Sequence, residues 1–356
     1  MKDARLLVRL LADPAEAREV KDWTSLIAVA RAESLAGSLA WRLRGQDLPE
    51  RVDALLEAAR RDGEGARVQA LWEAEMARRA LAPLGVPVIL LKGTAYAAAG
   101  LEAGRGRSIG DLDILVPRPA LPDVERALLA AGWEWVKDDP YDDQYYRRWM
   151  HELPPLIHRE RDRMIDVHHA ILPLTARPKP DMEAMIADRV ELAGGLSVLS
   201  PADMIVHSAT HLFADGDLAG GLRNLWDIDR LVREFAEPDG GFVAALEARA
   251  AHHGLLPAVG RSLRLAHHLY GTPIAGCRTR ISTAESSRGD RPEKIGVGRQ
   301  LTAADALYCR RLLARDGWGR ARRPLTRLGF YVRSHWLRMP PVMLARHLWV
   351  KARRKA

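Results

Sequence analysis

The segment from residue 85 to residue 175 constrains the fold most. On either side of it apolar residues recur at helical spacing; inside it they come in short β-rich runs. "VPVILL" (86–91) follows Gly85, and "DLDILV" (111–116) is closed by Pro117 and Pro119. "PLIHR" (155–159) and "MIDVHHA" (164–170) are separated by a charged turn. Short apolar runs bounded by turn residues read as strands. Strands mixed with helices in one window, inside a largely helical chain, predict an α+β protein. A small mixed β-sheet forms its core, with large helical regions before and after.

The rest of the chain divides around that core. Residues 1–82 read as helical: Leu6, Leu7, Leu10 and Leu11 mark one stripe, and Trp23, Leu26, Ile27 and Ala30 another. Residues 51–85 read as one long helix or a pair, stopping at Gly85. The α/β core spans 83–175 and includes a helix that opens near Pro122 and stops at Gly132. A second helical region follows over 176–275, with Ser200 placed to cap its "SPADMIVHSATHLF" helix and Pro201 in the first turn. Residues 276–300 are polar, Gly/Ser/Arg-rich and without period, and are expected to form a mobile loop. Residues 301–356 make a basic amphipathic tail.

Charge and cysteine usage exclude several classes. The formal net charge is +8, but 11 Lys/Arg and no Asp/Glu fall from Arg320 to Ala356, so the remainder sums to −3. The body is therefore no nucleic-acid-coating surface. The tail interleaves basic and aromatic residues. It could lie on an anionic membrane surface, contact nucleic acid or an acidic partner, or simply pack its Leu, Trp and Met on the body. Cys277 and Cys309 are too few and too far apart for a disulfide framework or a thiolate zinc site. The N-terminus lacks the pattern of a secretory signal, and no apolar run reaches membrane-spanning length. A cytoplasmic protein is expected, with peripheral contact at the inner membrane face as a further option.

The aspartates of "DLDILV" carry the chemistry. On a strand, side chains alternate, so Asp111 and Asp113 share one face while Leu112, Ile114 and Val116 point to the core. The two carboxylates sit about 6.5–7 Å apart at the Cα level. Like charges so close repel unless a cation lies between them. A hard divalent ion such as Mg²⁺ or Mn²⁺ meets that need; a solvated edge strand is the plainer alternative. Asp166 in "MIDVHH" offers a third carboxylate, with Ile165 and Val167 facing the other way. Upstream, Gly93 and Thr94 end "LLKGT", where a glycine lets backbone N–H groups approach a phosphate and a hydroxyl can donate to it. Three carboxylates on neighbouring strands beside such a turn suit phosphoryl or nucleotidyl transfer.

Other residues are weighed beside these. Lys92 could neutralise a triphosphate, or be a snorkelling lysine at a strand end. Arg107 could touch phosphate, or pair with Asp111 and orient it. His168 shares the face of Asp166 and could orient it or touch substrate, whereas His169 points away and packs. His151 and Glu152 could line the cleft. His207 and His211 are spaced i, i+4, but without the glutamate of a zincin motif they are weak zinc ligands, and His211 is better placed as cleft lining. Arg223 and Asp227, also i, i+4, read as an internal ion pair.

The combined pattern "LLKGT", Arg107, "DLDILV" and "MIDVHH" resembles the bacterial uncharacterised nucleotidyltransferase family, part of the polymerase-β-like superfamily. The resemblance extends over roughly residues 5–275, taking in "DWTSLIAVARAESLAGSLAWRL", "LSPADMIVHSATHLF" and "GLRNLWDIDRL". It implies that Asp111 and Asp113 are the metal-binding pair. Asp166 would be the third carboxylate, which helps hold a metal and deprotonates the acceptor hydroxyl. Gly93 and Thr94 would stand where the superfamily's Gly-Ser turn holds the β- and γ-phosphates. Here that turn reads Lys-Gly-Thr, and sixteen residues separate Thr94 from Asp111. The implied reaction moves a nucleoside monophosphate from an NTP to an acceptor hydroxyl by a two-metal mechanism. Transfer to a protein side chain or an RNA end, or a non-catalytic interaction protein on the same fold, are the alternatives.

Overall fold

The computed structural model describes residues 3–137, 139–214, 216–236, 241–274, 301–338 and 344. The expected loop over 276–300 and the end of the tail lie outside the described residues.

Among the described residues, seven short strands form one mixed sheet. They are β1 (Ile89–Leu90), β2 (Leu112–Leu115), β3 (Trp133–Trp135), β4 (Leu156–His158), β5 (Met164–His168), β6 (Val190–Glu191) and β7 (Ser197–Val198). The order is β3-β4-β5-β2-β1-β7-β6. The β2–β5 and β1–β7 pairs are parallel; the others are antiparallel. With helices on both sides in sequence, this is the α+β architecture that the patterning predicts. Two pieces of the sheet differ from the sequence reading. "WEW" leaves the preceding helix (Leu121–Ala130) through Gly132, at φ +102°, and becomes edge strand β3. The β6–β7 hairpin, from the region read as helical, adds two more strands through β7.

Helices supply most of the core. The long helix Glu50–Leu81 ends in a 3₁₀ turn at Ala82–Leu84, and Gly85 adopts φ +63°. The helix Pro201–Ala214 begins as its sequence dictates: Ser200 Oγ accepts from the Asp203 N–H at 3.2 Å. One continuous apolar cluster runs from Leu7 through Ile114 and Leu225 to Phe330. All four residues of β2 are buried, including Leu115 on the same face as Asp113, so the aspartate face is covered as well. Burying each such Leu or Ile is worth roughly 1.5–3 kcal/mol, which fixes the position of the strand that carries the charges.

The turn leading into β2 is held by glycines. Gly106, at φ +62°, lies between Gly37 on the helix Ala36–Arg42 and Gly63 on the long helix. A Cβ on Gly106 would fall 2.3 Å from the Gly37 carbonyl oxygen, and one on Gly37 would fall 2.3 Å from the Gly106 oxygen. Backbone this close admits no side chain at either position, and the loop 105–110 is clamped to both helices just before Asp111.

Candidate active site

The three aspartates converge. In the parallel β2–β5 pair, Asp113 lies directly beside Asp166, and Leu115 beside His168. Period-two alternation then puts Asp113, Asp166 and His168 on one face, with Asp111 at the entry to β2. Each of Asp111, Asp113 and Asp166 offers a carboxylate oxygen, and these oxygens lie within 4.8 Å of one another. Asp113 is buried and Asp111 exposed, so the cluster opens toward solvent at one end.

Electrostatics separate the members of the cluster. Burial alone would raise Asp113, but the Lys92 ammonium and His168 outweigh it and hold its carboxyl well below the usual carboxylate range. Asp166 goes the other way. Burial, then the negative charge of Asp113 and Glu152, pushes it up to about 7. This is the signature of carboxylates crowded without enough positive charge. Hard oxygen donors with excess negative charge fit a divalent cation such as Mg²⁺ or Mn²⁺.

Lys92 opens the helix Lys92–Ala98 with φ +49°, an unusual backbone for a non-glycine residue. Its Nζ donates to Asp113 Oδ1 at 2.6 Å. Burial would lower the ammonium, yet Asp113 prevails and the net shift is upward. Lys92 therefore supplies the cation nearest the cluster. His168 Nε2 lies 3.0 Å from the same oxygen of Asp113. Its sequence-based pairing with Asp166 gives way to Asp113, because β5 directs the ring across the strand pair.

Arg107 does not pair with Asp111. Its Nη1 donates to Asp227 Oδ2 at 2.5 Å, on the helix Gly221–Phe235. Asp227 also holds Arg223 at 3.3 Å, as its i, i+4 spacing predicts, and Arg223 donates to Ser38 Oγ at 2.8 and 2.9 Å. The reason is topological. The clamped turn at Gly106 sends Arg107 back toward the helical body, and Gly93 leaves room for it: a Cβ on Gly93 would fall 2.4 Å from Arg107 Nε. Gly93 and Thr94 are both buried in the first turn of their helix.

Beside the aspartates lies a pocket of about 210 Å³. Lys92, His151, Glu152, Asp166, His168, His207 and His211 are among its lining residues. Burial holds His151 and His207 well below the ordinary imidazole range, so both are neutral at physiological pH. His169 points elsewhere and is buried, which lowers it to about 4. A larger cleft of about 550 Å³ is lined by Arg44, Arg60, Arg61, Arg67 and Arg105. Arg60, Arg67 and Arg105 are each paired with a glutamate on their own segment, and none of the three aspartates lines this cleft.

The family model described as uncharacterised nucleotidyltransferase matches residues 19–271. The chain belongs to that family. Among curated proteins none matches it. The matched span of this nucleotidyltransferase contains every residue of the pocket and the aspartate cluster, and ends before the basic tail. Membership supports a transferase acting on nucleotidyl groups. Some site residues were not legible in sequence. Ser38 stands 185 positions from Arg223, and nothing in its surroundings marks it as a guanidinium partner. The Lys92–Asp113 contact was equally hidden, although the lysine itself stood out at its strand end.

Proposed function

We propose that this nucleotidyltransferase moves a nucleoside monophosphate from an NTP to an acceptor hydroxyl, breaking the α–β phosphate linkage and releasing pyrophosphate, with two Mg²⁺ or Mn²⁺ ions held by Asp111, Asp113 and Asp166. The observation that carries the reading is the register of Asp113 against Asp166 on adjacent parallel strands, with Asp111 within reach of both. Bound there, the ions would neutralise phosphate charge and make the acceptor oxygen more nucleophilic. Asp166 faces the pocket, and its carboxylate takes the proton from the acceptor hydroxyl. Lys92 lies at the junction of pocket and cluster, where its ammonium can pass from Asp113 to a phosphate oxygen. His168 holds Asp113 in place through Nε2. Gly93 and Thr94 contribute by setting the helix turn that aims Lys92, and Arg107 by bracing the segment that leads into Asp111.

A second reading rests on the same lysine. Lys92 gives Asp113 the positive charge that a metal would otherwise supply, which suits a non-catalytic protein that keeps the fold. Calorimetric titration with Mn²⁺ plus a non-hydrolysable NTP decides between them. Catalysis requires saturable binding that Asp111→Asn weakens while the fold survives. Equal binding by both proteins, or none by either, favours the interaction protein. Cell extract incubated with labelled NTPs and Mg²⁺, with and without the protein, would then show by mass spectrometry whether the acceptor is a small molecule, a protein side chain or an RNA end.

We also propose that the tail touches anionic membrane. Among the described residues no helix is long and apolar enough to cross a membrane. The helix Pro324–Arg338 anchors to the body through buried Phe330, which packs edge-on against Tyr308 with centroids 4.8 Å apart. Its opposite side exposes Leu325, Leu328, Val332 and Trp336, one stripe at helical spacing. Apolar residues on a strongly basic, acid-free segment match a peripheral membrane surface.

A further inference from the structure

We propose that His151, Glu152 and His168 form a second metal site, distinct from the aspartate cluster, which takes a borderline transition dication of the Zn²⁺ type. Residues 151–153 continue the antiparallel pairing along β5: Leu153 N–H donates to Val167 O at 2.9 Å and His169 N–H to His151 O at 2.8 Å. A bridge between Glu152 and His168 sets these two residues opposite one another. The backbone thus delivers two imidazoles and a carboxylate to one point. Glu152 Oε2 is 3.4 Å from His168 Nδ1 and 3.7 Å from His151 Nε2, and one ligand atom from each residue lies within 4.8 Å of the others. A tetrahedral zinc centre with bonds of about 2.0–2.1 Å needs ligand atoms about 3.3 Å apart. The two spacings to Glu152, 3.4 and 3.7 Å, lie close to that value.

Hydrogen-bond accounting points the same way. Asp113 is a carboxylate and can only accept, so the bond at His168 Nε2 uses that nitrogen's proton. Nδ1, the other ring nitrogen, faces Glu152 Oε2 at 3.4 Å, so a cation held there would take Nδ1 while Nε2 keeps its bond to Asp113. The result is the carboxylate–histidine–metal relay that orients metal-bound imidazoles, with Asp113 as the outer carboxylate. His151 fits as well. Its Nε2 is turned toward Glu152 Oε2 at 3.7 Å, beyond hydrogen-bond distance but within reach of a shared ion. Charge also allows a second site. Asp111, Asp113, Asp166 and Glu152 all act on one neighbourhood that has Lys92 as its lysine. Imidazole-rich donors select zinc-like ions, whereas the all-oxygen aspartates select Mg²⁺ or Mn²⁺. Three protein ligands leave one position open to the pocket that His207 and His211 also line, the arrangement of a zinc that binds a substrate oxygen.

The test uses tag-free, full-length protein stripped with chelator, loaded with Zn²⁺ and dialysed against metal-free buffer. Mass spectrometry of the metal content should find one Zn²⁺ per chain, and Co²⁺ loading should give the visible bands of a four-coordinate ion. Asp111→Asn should keep both signals. His151→Ala and Glu152→Gln should each weaken Zn²⁺ binding at least about tenfold, with circular dichroism confirming the fold. Wild-type protein that retains no Zn²⁺ and shows no Co²⁺ bands overturns the proposal whatever the variants do. Zinc lost in Asp111→Asn but kept in His151→Ala also overturns it, by placing the ion on the aspartates. The Mn²⁺–nucleotide titration reads the aspartate cluster separately, so either site can fail alone.

Discussion

Asp227→Ala removes the carboxylate shared by two guanidiniums, and the structure sets what that costs. Asp227 is 1% exposed and Arg223 5%; Arg107 is only partly buried. Burial raises Asp227 above the usual carboxylate range and lowers Arg223 to about 10, so the ion pairs form in a poorly solvated environment. Breaking a buried pair by deleting one partner costs about 3–5 kcal/mol, because the other charge is left unpaired. Arg223 keeps Ser38 Oγ and the Ser34 carbonyl, at 3.1 Å, as acceptors. Arg107 loses its ion pair and can reach some solvent. Both facts put the expected loss near the lower end, about 3 kcal/mol. For a chain longer than 250 residues, that is a fall in Tm of roughly 6 °C, at about 2 °C per kcal/mol. Urea and thermal denaturation of wild type and Asp227→Ala measure it directly. Adding Arg107→Met should recover part of the loss, with a coupling of about 1–2 kcal/mol, since the stranded charge goes too. A loss under about 1 kcal/mol, or strictly additive single and double mutants, would refute the claim that this network clamps Arg107.

Three further outcomes are expected. Asp166→Asn is nearly isosteric and should still bind Mn²⁺–nucleotide measurably, while turnover falls at least about a hundredfold; a variant that transfers at the wild-type rate removes Asp166 as the base. Asp305 is buried and held by Arg264 Nε at 2.8 Å and Arg261 Nε at 3.1 Å. Burial opposes its ionisation, but Arg264 and Thr302 lower it to about 2. Because its folded pKa lies below the unfolded value, its contribution is complete above about pH 5 and is lost as pH falls through about 2. The stability gap between wild type and Asp305→Asn should therefore shrink by about 1 kcal/mol between pH 5 and pH 3 in denaturant titrations; a constant gap contradicts the ion pairing. Co-sedimentation with anionic vesicles should fall steeply with added salt and with Leu328→Glu/Trp336→Glu, since each basic residue near the surface contributes about 1 kcal/mol; salt-independent pelleting, or none, counts against membrane contact.

Local sequence determined the parts of this protein that depend on short-range rules. Two-residue alternation placed Asp113 and Asp166 on strand faces, although β2 begins at Leu112 and leaves Asp111 just before it, and Ser200, Gly85 and Gly132 marked ends that the structure keeps. The i, i+4 spacing paired Arg223 with Asp227. These signals are legible because backbone period and capping are set within a few residues. The partners were decided only by tertiary structure. Parallel register of β2 against β5 brought Asp113 to Asp166 across more than fifty residues, and no local rule sets a non-local register. The Gly37–Gly63–Gly106 contact turned Arg107 from Asp111 toward Asp227. The β6–β7 hairpin is not legible in the sequence because two-residue strands carry no readable period; it joins the sheet through the pairing of β7 with β1. His151 and Glu152 could be read as cleft residues, but their meeting with His168 needed the chain to run on beside β5. Sequence supplied the charged groups and the faces they occupy; packing chose which charges meet, because an ion pair or metal site is a three-dimensional coincidence that no periodicity encodes.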